Sequence, residues 1–180
     1  MMGREIRRVP PNWQHPKKMF RRWDYGRYVE QEDYQPMFDE DFAAAMDEWY
    51  AGWKAWNPAD HDGDQYWDDC GNPPDPAFYR PAWPEGTATW WQVYQTVSEG
   101  SPVTPPFATQ QELVDYLATH GDFWDQNRGD KPWNRKAAEN FVFGDGWAPS
   151  MVVINGGPAS GIYTAATGFP PIKHSEGSQS

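Results

Sequence analysis

Residues 88–121 read ATWWQVYQTVSEGSPVTPPFATQQELVDYLATHG, and this stretch decides the fold class. Its first ten residues, 88–97, are rich in β-branched and aromatic side chains, which predicts a strand. Alternation along that strand places Trp90 and Tyr94 on one face and Trp91 on the other. The SEGS sequence at 98–101 then predicts a turn.

The second half of the same stretch predicts a helix. Thr109 and Glu112 form a capping box, in which each side chain accepts a hydrogen bond from the backbone N–H of the other residue. Leu113 and Leu117 supply the apolar face, and Gly121 ends the helix. A strand followed so closely by a helix favours a fold that mixes both elements.

Outward from this stretch, two more helices are predicted. In residues 39–56, aromatic and methionine side chains recur at spacings of 4, 3, 4 and 3, which is typical of one helix face. We interpret this stripe as core packing, with a ligand surface as the alternative. Asn134 caps a third helix that runs to Phe143. The stripe consists of Phe42, Met46, Trp49, Trp53 and Trp56.

Together these patterns predict an α+β fold with a small antiparallel sheet and about three helices on one side. The sheet is expected from segments 88–97, 150–154 and 162–166. Residues 9–37 are expected to be irregular, with a short strand near 5–9, and 57–86 to form a long loop. Residues 1–172 then make one loop-rich domain, and 173–180 a disordered tail.

Aromatic side chains dominate the apolar composition. The 180 residues include 12 Trp, 9 Tyr and 9 Phe but only two Leu. Since one buried ring covers roughly 150–250 Å², these side chains can replace missing aliphatic residues, which predicts an aromatic core. Some of the Trp side chains are also expected to line a pocket.

Charge is distributed unevenly along the chain. Residues 1–28 have a net charge of +6, and residues 30–75 have a net charge of −13. We expect the basic N-terminal arm to pair with the acidic segment, within one chain or between copies; a phosphate-bearing partner is the alternative. The net charge of −11 argues against general nucleic-acid binding.

Several classes of protein are disfavoured by the sequence. Cys70 is the single cysteine, so no internal disulfide is expected, and no apolar run is long enough for a membrane span. Asp60, Asp62 and Asp64 alternate as calcium ligands do, but the glycine and the final Glu of that loop type are misplaced. The histidines lack metal-ligand spacing. We therefore expect no cofactor, no metal and no enzymatic activity.

A ligand pocket is predicted around the SEGS turn. Flat rings beside hydroxyl groups suit a planar ligand such as a purine, and arginines elsewhere in the chain suit its phosphates. The alternative is that these rings fill the core. The candidate ligand-binding residues are Trp90, Trp91, Tyr94, Ser98, Glu99, Ser101, Thr104, Trp124, Trp147, Arg80, Arg128 and Arg135.

Three stretches resemble a family of small proteins encoded by tailed phages and prophages. They are residues 3–16 (GREIRRVPPNWQHP), 90–121 and 146–153 (GWAPSMVV), together 54 of the 180 residues, and TVSEGSPVTPPFAT is the most specific part. The resemblance implies an accessory protein acting in the bacterial cytoplasm. It implies no catalytic or binding residue.

These observations lead to two hypotheses. The first is a non-enzymatic phage protein that counters host defence by sequestering a nucleotide-like signalling molecule in an aromatic pocket. The second is an acidic protein that mimics nucleic acid and inhibits a basic host nuclease or CRISPR complex. A nucleotide hydrolase is a weaker third hypothesis because no motif supports it. The oligomeric state stays open.

Overall fold

The structure is a computed structural model that describes residues 3–96, 100–149, 151–154 and 157–161. The strands are β1 (Gly3–Val9), β2 (Lys17–Asp24), β3 (Arg27–Tyr34), β4 (Trp90–Gln95), β5 (Ser101–Pro102), β6 (Trp147–Pro149), β7 (Met151–Ile154) and β8 (Gly157–Ser160). The helices are α1 (Phe42–Ala55), α2 (Tyr66–Cys70), α3 (Gln110–His120), α4 (Phe123–Arg128) and α5 (Arg135–Phe143). The predicted α+β class is confirmed.

The main sheet is antiparallel, with the strand order β5–β4–β1–β6. β1 pairs with β4 from Arg4–Gln95 to Val9–Trp90, so the N-terminal strand lies inside the sheet. The predicted membership of the sheet is wrong at 150–154, because β7 pairs with β8 in a separate hairpin and β6 takes the place beside β1. The predicted strand at 162–166 and the tail at 173–180 lie outside the described residues.

A compact core lies between the sheet and helices α3 and α5. Both leucines of the chain, Leu113 and Leu117, are fully buried there against Val93 of β4. Only two aromatic side chains, Trp133 and Phe141, are among the buried members of this cluster. Most of the other described aromatic side chains lie outside this core, and many of them contribute apolar surface that is partly exposed.

The capping signals were predicted correctly. Thr109 and Glu112 form the capping box at the start of α3, and the Asn134 side chain accepts a hydrogen bond from the backbone N–H of Ala137 in α5. These bonds satisfy backbone N–H groups that the helices leave free. They fix where each helix begins and therefore which side chains face the sheet.

Residues 17–34 are not irregular, as the sequence suggested, but form the β2–β3 hairpin. Its two-residue turn is Tyr25–Gly26, and both residues have positive φ, at 40° and 87°. This is the conformation of the primed turns that match strand twist, but it is most often built from Asn-Gly or Asp-Gly. A tyrosine in this position gave no turn signal.

The basic segment at residues 1–28 is built into the fold, and it forms ion pairs with the acidic segment of the same chain: Lys17 with Glu32 and Arg22 with Asp33. Residues 3–9 are β1, and Arg4 and Arg7 are buried.

Arg4 donates a hydrogen bond from Nε to Asp122 Oδ2 at 2.5 Å. Asp122 is fully buried and also caps α4 by accepting from the backbone N–H of Trp124. This ion pair links the first strand to the C-terminal half of the chain.

The stripe of α1 does not pack in the core, which corrects the sequence interpretation. No residue of α1 is buried. Instead, Trp49 packs edge-on against Tyr66 of α2, and Trp56 stacks on His61. The spacing correctly identified an amphipathic face, but spacing carries no information about what covers that face. Here α2 and the loop between α1 and α2 cover the face of α1 only in part.

We expect Asp122→Asn to lower the free energy of unfolding by about 3–5 kcal/mol, because it leaves the Arg4 guanidinium buried without a counter-charge. The asparagine keeps an oxygen for the α4 cap. The exposed pair of Arg135 and Asp115 provides the control, and Asp115→Asn should change stability little. Urea unfolding measures both variants. Equal losses would show that burial of the Arg4 pair has no special role.

Candidate functional site

A buried polar network covers the face of the sheet opposite the core. The Tyr94 hydroxyl donates a hydrogen bond to Gln92 Oε1 at 3.0 Å, and His15 Nδ1 lies 3.1 Å from the same hydroxyl. His15 Nε2 lies 2.6 Å from the carbonyl oxygen of Gln35. Gln92 Nε2 in turn donates to the carbonyl oxygen of Thr104. The network joins the segment before β2, the segment after β3 and the sheet.

Burial determines the protonation of this network. It lowers the pKa of His15, and the nearby Arg7 guanidinium lowers it further, although the bond to Gln35 acts in the opposite direction. Burial also raises the pKa of Tyr94, so its hydroxyl keeps its proton. A neutral His15 that donates from Nε2 to Gln35 has an unprotonated Nδ1. The single hydroxyl proton of Tyr94 therefore serves two acceptors, Nδ1 and Gln92 Oε1.

Beside this network, the β2–β3 hairpin and the body of the protein enclose a cleft of about 640 Å³, which we call the hairpin cleft. A smaller pocket of about 380 Å³ adjoins it and reaches His15 and Thr104. Both volumes fall in the range typical of small-molecule sites. The hairpin cleft is lined by Lys17, Phe20, Arg22, Gln31, Glu32, Asp33, Tyr34, Pro36, Gln95, Ser101, Pro102, Val103, Phe123, Trp124 and Asn127.

The lining of the hairpin cleft combines three kinds of group. Aromatic rings come from the hairpin and from α4, including Tyr34 and Phe123. Two cations are present: Arg22 lies 2.5 Å from Asp33, and Lys17 lies 3.4 Å from Glu32. Side-chain amides supply further donors and acceptors. This combination suits a flat ligand that carries negative charge.

A second cleft, of about 430 Å³, lies on α1 and α2, and we call it the acidic aromatic cleft. Its walls are Trp49, Tyr50, Trp53, Trp67, Asn72 and Pro73. The Trp49 and Trp53 rings are nearly parallel, with 9° between their planes and 6.5 Å between their centroids. The acidic aromatic cleft belongs to residues 30–75, the segment with a net charge of −13, so its surroundings are strongly negative.

The predicted site residues are not brought together as one pocket. Ser101 and Trp124 line the hairpin cleft, and Thr104 lines the adjoining pocket. The predicted stacking trio is elsewhere: Trp90 and Trp91 border neither space, and the Arg8 guanidinium lies 3.8 Å from the Trp91 ring.

Tyr94 is buried as a member of the polar network described above, so its ring is not free to stack on a ligand, and its predicted role is corrected. Trp147 is exposed on β6, away from both clefts. Ser98 and Glu99 lie outside the described residues.

The arginines predicted to bind phosphate are engaged with carboxylates on separate surfaces. Arg80 pairs with Asp39, Arg128 with Asp125 and Asp130, and Arg135 with Asp115. None of them borders the hairpin cleft. The cations that do so, Lys17 and Arg22, belong to the hairpin that the sequence did not reveal.

The described residues hold no group of three or more His, Cys, Asp or Glu side chains arranged to bind a metal ion. In the Asp60–Asp69 region two of the acidic side chains serve local structure: Asp60 accepts a hydrogen bond from the Asn57 amide, and Asp68 caps α2. Within the same described ranges, every helix is too short or too polar to cross a bilayer.

Comparisons of the chain with protein-family models, with curated proteins and with solved structures gave no match. The resemblance to phage-encoded proteins therefore stays a prediction.

The buried His15 predicts a pH-dependent stability. Because its pKa in the folded chain lies below the ordinary value of 6.5, the unfolded chain binds more protons between these two pKa values. The free energy of unfolding should therefore fall as the pH falls below 6.5, and His15→Gln should lose this dependence. Urea unfolding at several pH values from about 8 to 5 measures the difference.

His120→Gln is the matched control, since His120 is exposed at the end of α3. Its curve should run parallel to that of the unmodified protein. Burial also raises the pKa of Asp39 and Asp125, which stabilises the folded chain on acidification. Both carboxyls are present in all three proteins, so their contribution to the pH dependence cancels when the curves are compared. Parallel curves for the His15 variant would contradict the prediction.

Proposed function

We propose that this chain is a non-enzymatic binding protein that sequesters a nucleotide-like molecule in the hairpin cleft. The observation that carries the proposal is the composition of this 640 Å³ space, which is lined by rings from the hairpin and from α4 and by two cations, Lys17 and Arg22. A base needs flat apolar walls, and a phosphate needs a cation with several N–H donors. The lining of the cleft offers both kinds of group.

In this proposal the ligand base packs against Phe123 and Tyr34. Phe123 is 53% exposed, so much of its ring is free to cover an incoming base. Tyr34 contacts His15 edge-on, at 5.6 Å between ring centroids. The rings are therefore held by neighbours before a ligand arrives, which reduces the conformational entropy lost on binding.

The phosphate of the ligand is assigned to Arg22, with Lys17 in support. Arg22 is held in the ligand-free chain by Asp33, at 2.5 Å. A phosphate group offers two acceptor oxygens to a guanidinium, as a carboxylate does, so Arg22 can exchange Asp33 for the phosphate without leaving the cleft wall. The amides of Gln31, Gln95 and Asn127 are then placed to select among bases by hydrogen bonding.

Sequestration fits the phage context that the sequence resemblance implies. A protein that removes a host signalling nucleotide needs affinity and abundance, and it needs no catalytic group. The site we propose supplies binding groups only. The host defence role is thus an extension of the binding proposal and depends on the identity of the nucleotide.

Isothermal titration calorimetry against a panel of cyclic and linear adenine and guanine dinucleotides tests this function. We expect at least one member to bind with Kd below about 10 μM. Phe123→Ala should weaken that binding by about tenfold or more, since stacking on one ring contributes about 1–3 kcal/mol per base. Arg22→Gln should weaken phosphate-bearing ligands and leave the free nucleoside unaffected.

Matched controls exist for both substitutions. Phe143 is 54% exposed, much like Phe123, but lies outside the cleft, so Phe143→Ala should bind normally. Arg135 pairs with one aspartate at a similar distance and is equally remote, so Arg135→Gln should also bind normally. Failure of every nucleotide to bind, or equal losses in site and control variants, would refute the proposal.

A further inference from the structure

The rings of the acidic aromatic cleft are positioned by contacts with one another and with α2. Trp49 and Trp53 are nearly parallel, and the Tyr50 ring stands at 79° to the first and at 71° to the second. The Trp49 indole N–H donates a hydrogen bond to the Gly71 carbonyl oxygen at 3.1 Å, which ties α1 to the end of α2. Trp67 of α2 supplies a fourth ring. Two parallel rings and one at a steep angle to both therefore form the walls of the cleft.

These walls are accessible from solvent. Tyr50, Trp53 and Trp67 are each between 44% and 46% exposed. Among the described residues, the Arg and Lys side chains that lie over aromatic rings use rings in other parts of the chain, so none of them covers the cleft. A cluster of exposed indoles of this kind is typical of a binding surface.

The helices that wall the cleft are rich in carboxylates. Each acidic side chain of α1 and α2 belongs to a residue within one helical turn of a ring of the cleft. One turn rises about 5 Å, which is less than the Debye length of about 8 Å at physiological ionic strength, so screening of these charges at the cleft is incomplete. The carboxylates are Asp47, Glu48, Asp68 and Asp69, and the same helices carry one cation, Lys54.

The lining itself offers few hydrogen bonds to a ligand. Its described members include one side-chain amide, that of Asn72, and no carboxylate. An ammonium or guanidinium group that entered the cleft would leave N–H donors without acceptors, which is costly. A quaternary ammonium group has no N–H donor, and its methyl groups add apolar surface. The combination of ring walls with carboxylates behind them therefore favours this kind of cation.

We propose that the acidic aromatic cleft binds a small molecule that carries a quaternary ammonium group. The methyl groups pack against Trp49, Trp53 and Trp67, and the positive charge is stabilised by the rings and by the carboxylates of α1 and α2. The volume of about 430 Å³ accommodates such a group with a short chain attached. The negative surroundings disfavour a ligand that also carries phosphate. This site is independent of the hairpin cleft and of any nucleotide.

Proton NMR titration with choline and its neutral carbon isostere, 3,3-dimethyl-1-butanol, tests the proposal. Choline should bind with a Kd of about 1 mM or tighter, and its N-methyl signal should move upfield because the methyl groups lie over ring faces. The isostere should bind at least about tenfold more weakly, since it has the same shape without the charge.

Two further probes distinguish the source of the quaternary ammonium group. Phosphocholine represents a lipid headgroup, and an acetylated trimethyllysine amide represents a methylated protein side chain. Both should bind more weakly than choline. Tighter binding of either probe would overturn the assignment to a free small molecule.

Trp53→Ala should weaken choline binding by about tenfold or more. α1 has no buried residue, so this substitution should leave the fold intact, which circular dichroism checks. Trp53→Phe should restore part of the affinity. The matched control is Trp147→Ala, because Trp147 is 53% exposed on β6 and lies outside the cleft, and this variant should bind choline normally.

The contribution of the carboxylates is tested by Asp47→Asn combined with Glu48→Gln. This variant should bind choline more weakly at low salt, and its binding of the neutral isostere should not change. The proposal is overturned if choline does not bind at about 20 mM, if the isostere binds equally well, or if Trp53→Ala binds choline normally. Nucleotide binding in the hairpin cleft should be the same in every one of these variants, so the two sites fail or succeed separately.

Discussion

The pairing of β1 with β4 joins the two halves of the chain in the main sheet, and both the apolar core and the buried polar network are built on that sheet. β1 is the N-terminal strand, yet it lies between β4 and β6, which come from the second half of the chain. The buried Arg4–Asp122 pair reinforces this connection from the core side of the sheet. Contacts so distant in sequence cost chain entropy to close, so the fold depends on the strong local signals of β4 and α3.

The two faces of the sheet have opposite chemistry, and this separation creates the site. One face is apolar and receives α3 and α5. The other carries Arg7, Gln92 and Tyr94 and is covered by the segments that flank the hairpin, including His15. The contacts of His15 with the Tyr94 hydroxyl and with the Gln35 carbonyl tie these flanking segments to the sheet and to each other, which limits their freedom. The base of the hairpin is thereby fixed while its turn projects. The hairpin cleft is the space left between the hairpin and the body of the protein.

The sequence was most informative where local chemistry is specific. The Thr109–Glu112 box, the Asn134 cap and the alternation of β4 were all predictable, because each depends on neighbours within a few residues. The hairpin was not predictable: its turn uses Tyr25, and charged residues occupy both faces of β2, so neither a turn signal nor alternation appears. The hairpin residues that line the cleft therefore escaped notice. Ser101 and Thr104 were identified because they lie near the predicted SEGS turn, and Trp124 was identified because it was expected to lie in a loop.

The β2–β3 hairpin presents alternate residues to two different environments. Phe20, Arg22 and Gln31 face the cleft, while Met19, Arg21 and Trp23 face away from it. A molecule that binds one face of the hairpin and immobilises it reduces the conformational entropy that the hairpin loses when a second molecule binds the opposite face. Cooperativity between the two surfaces needs no shape change, and by thermodynamic reciprocity it acts equally in both directions.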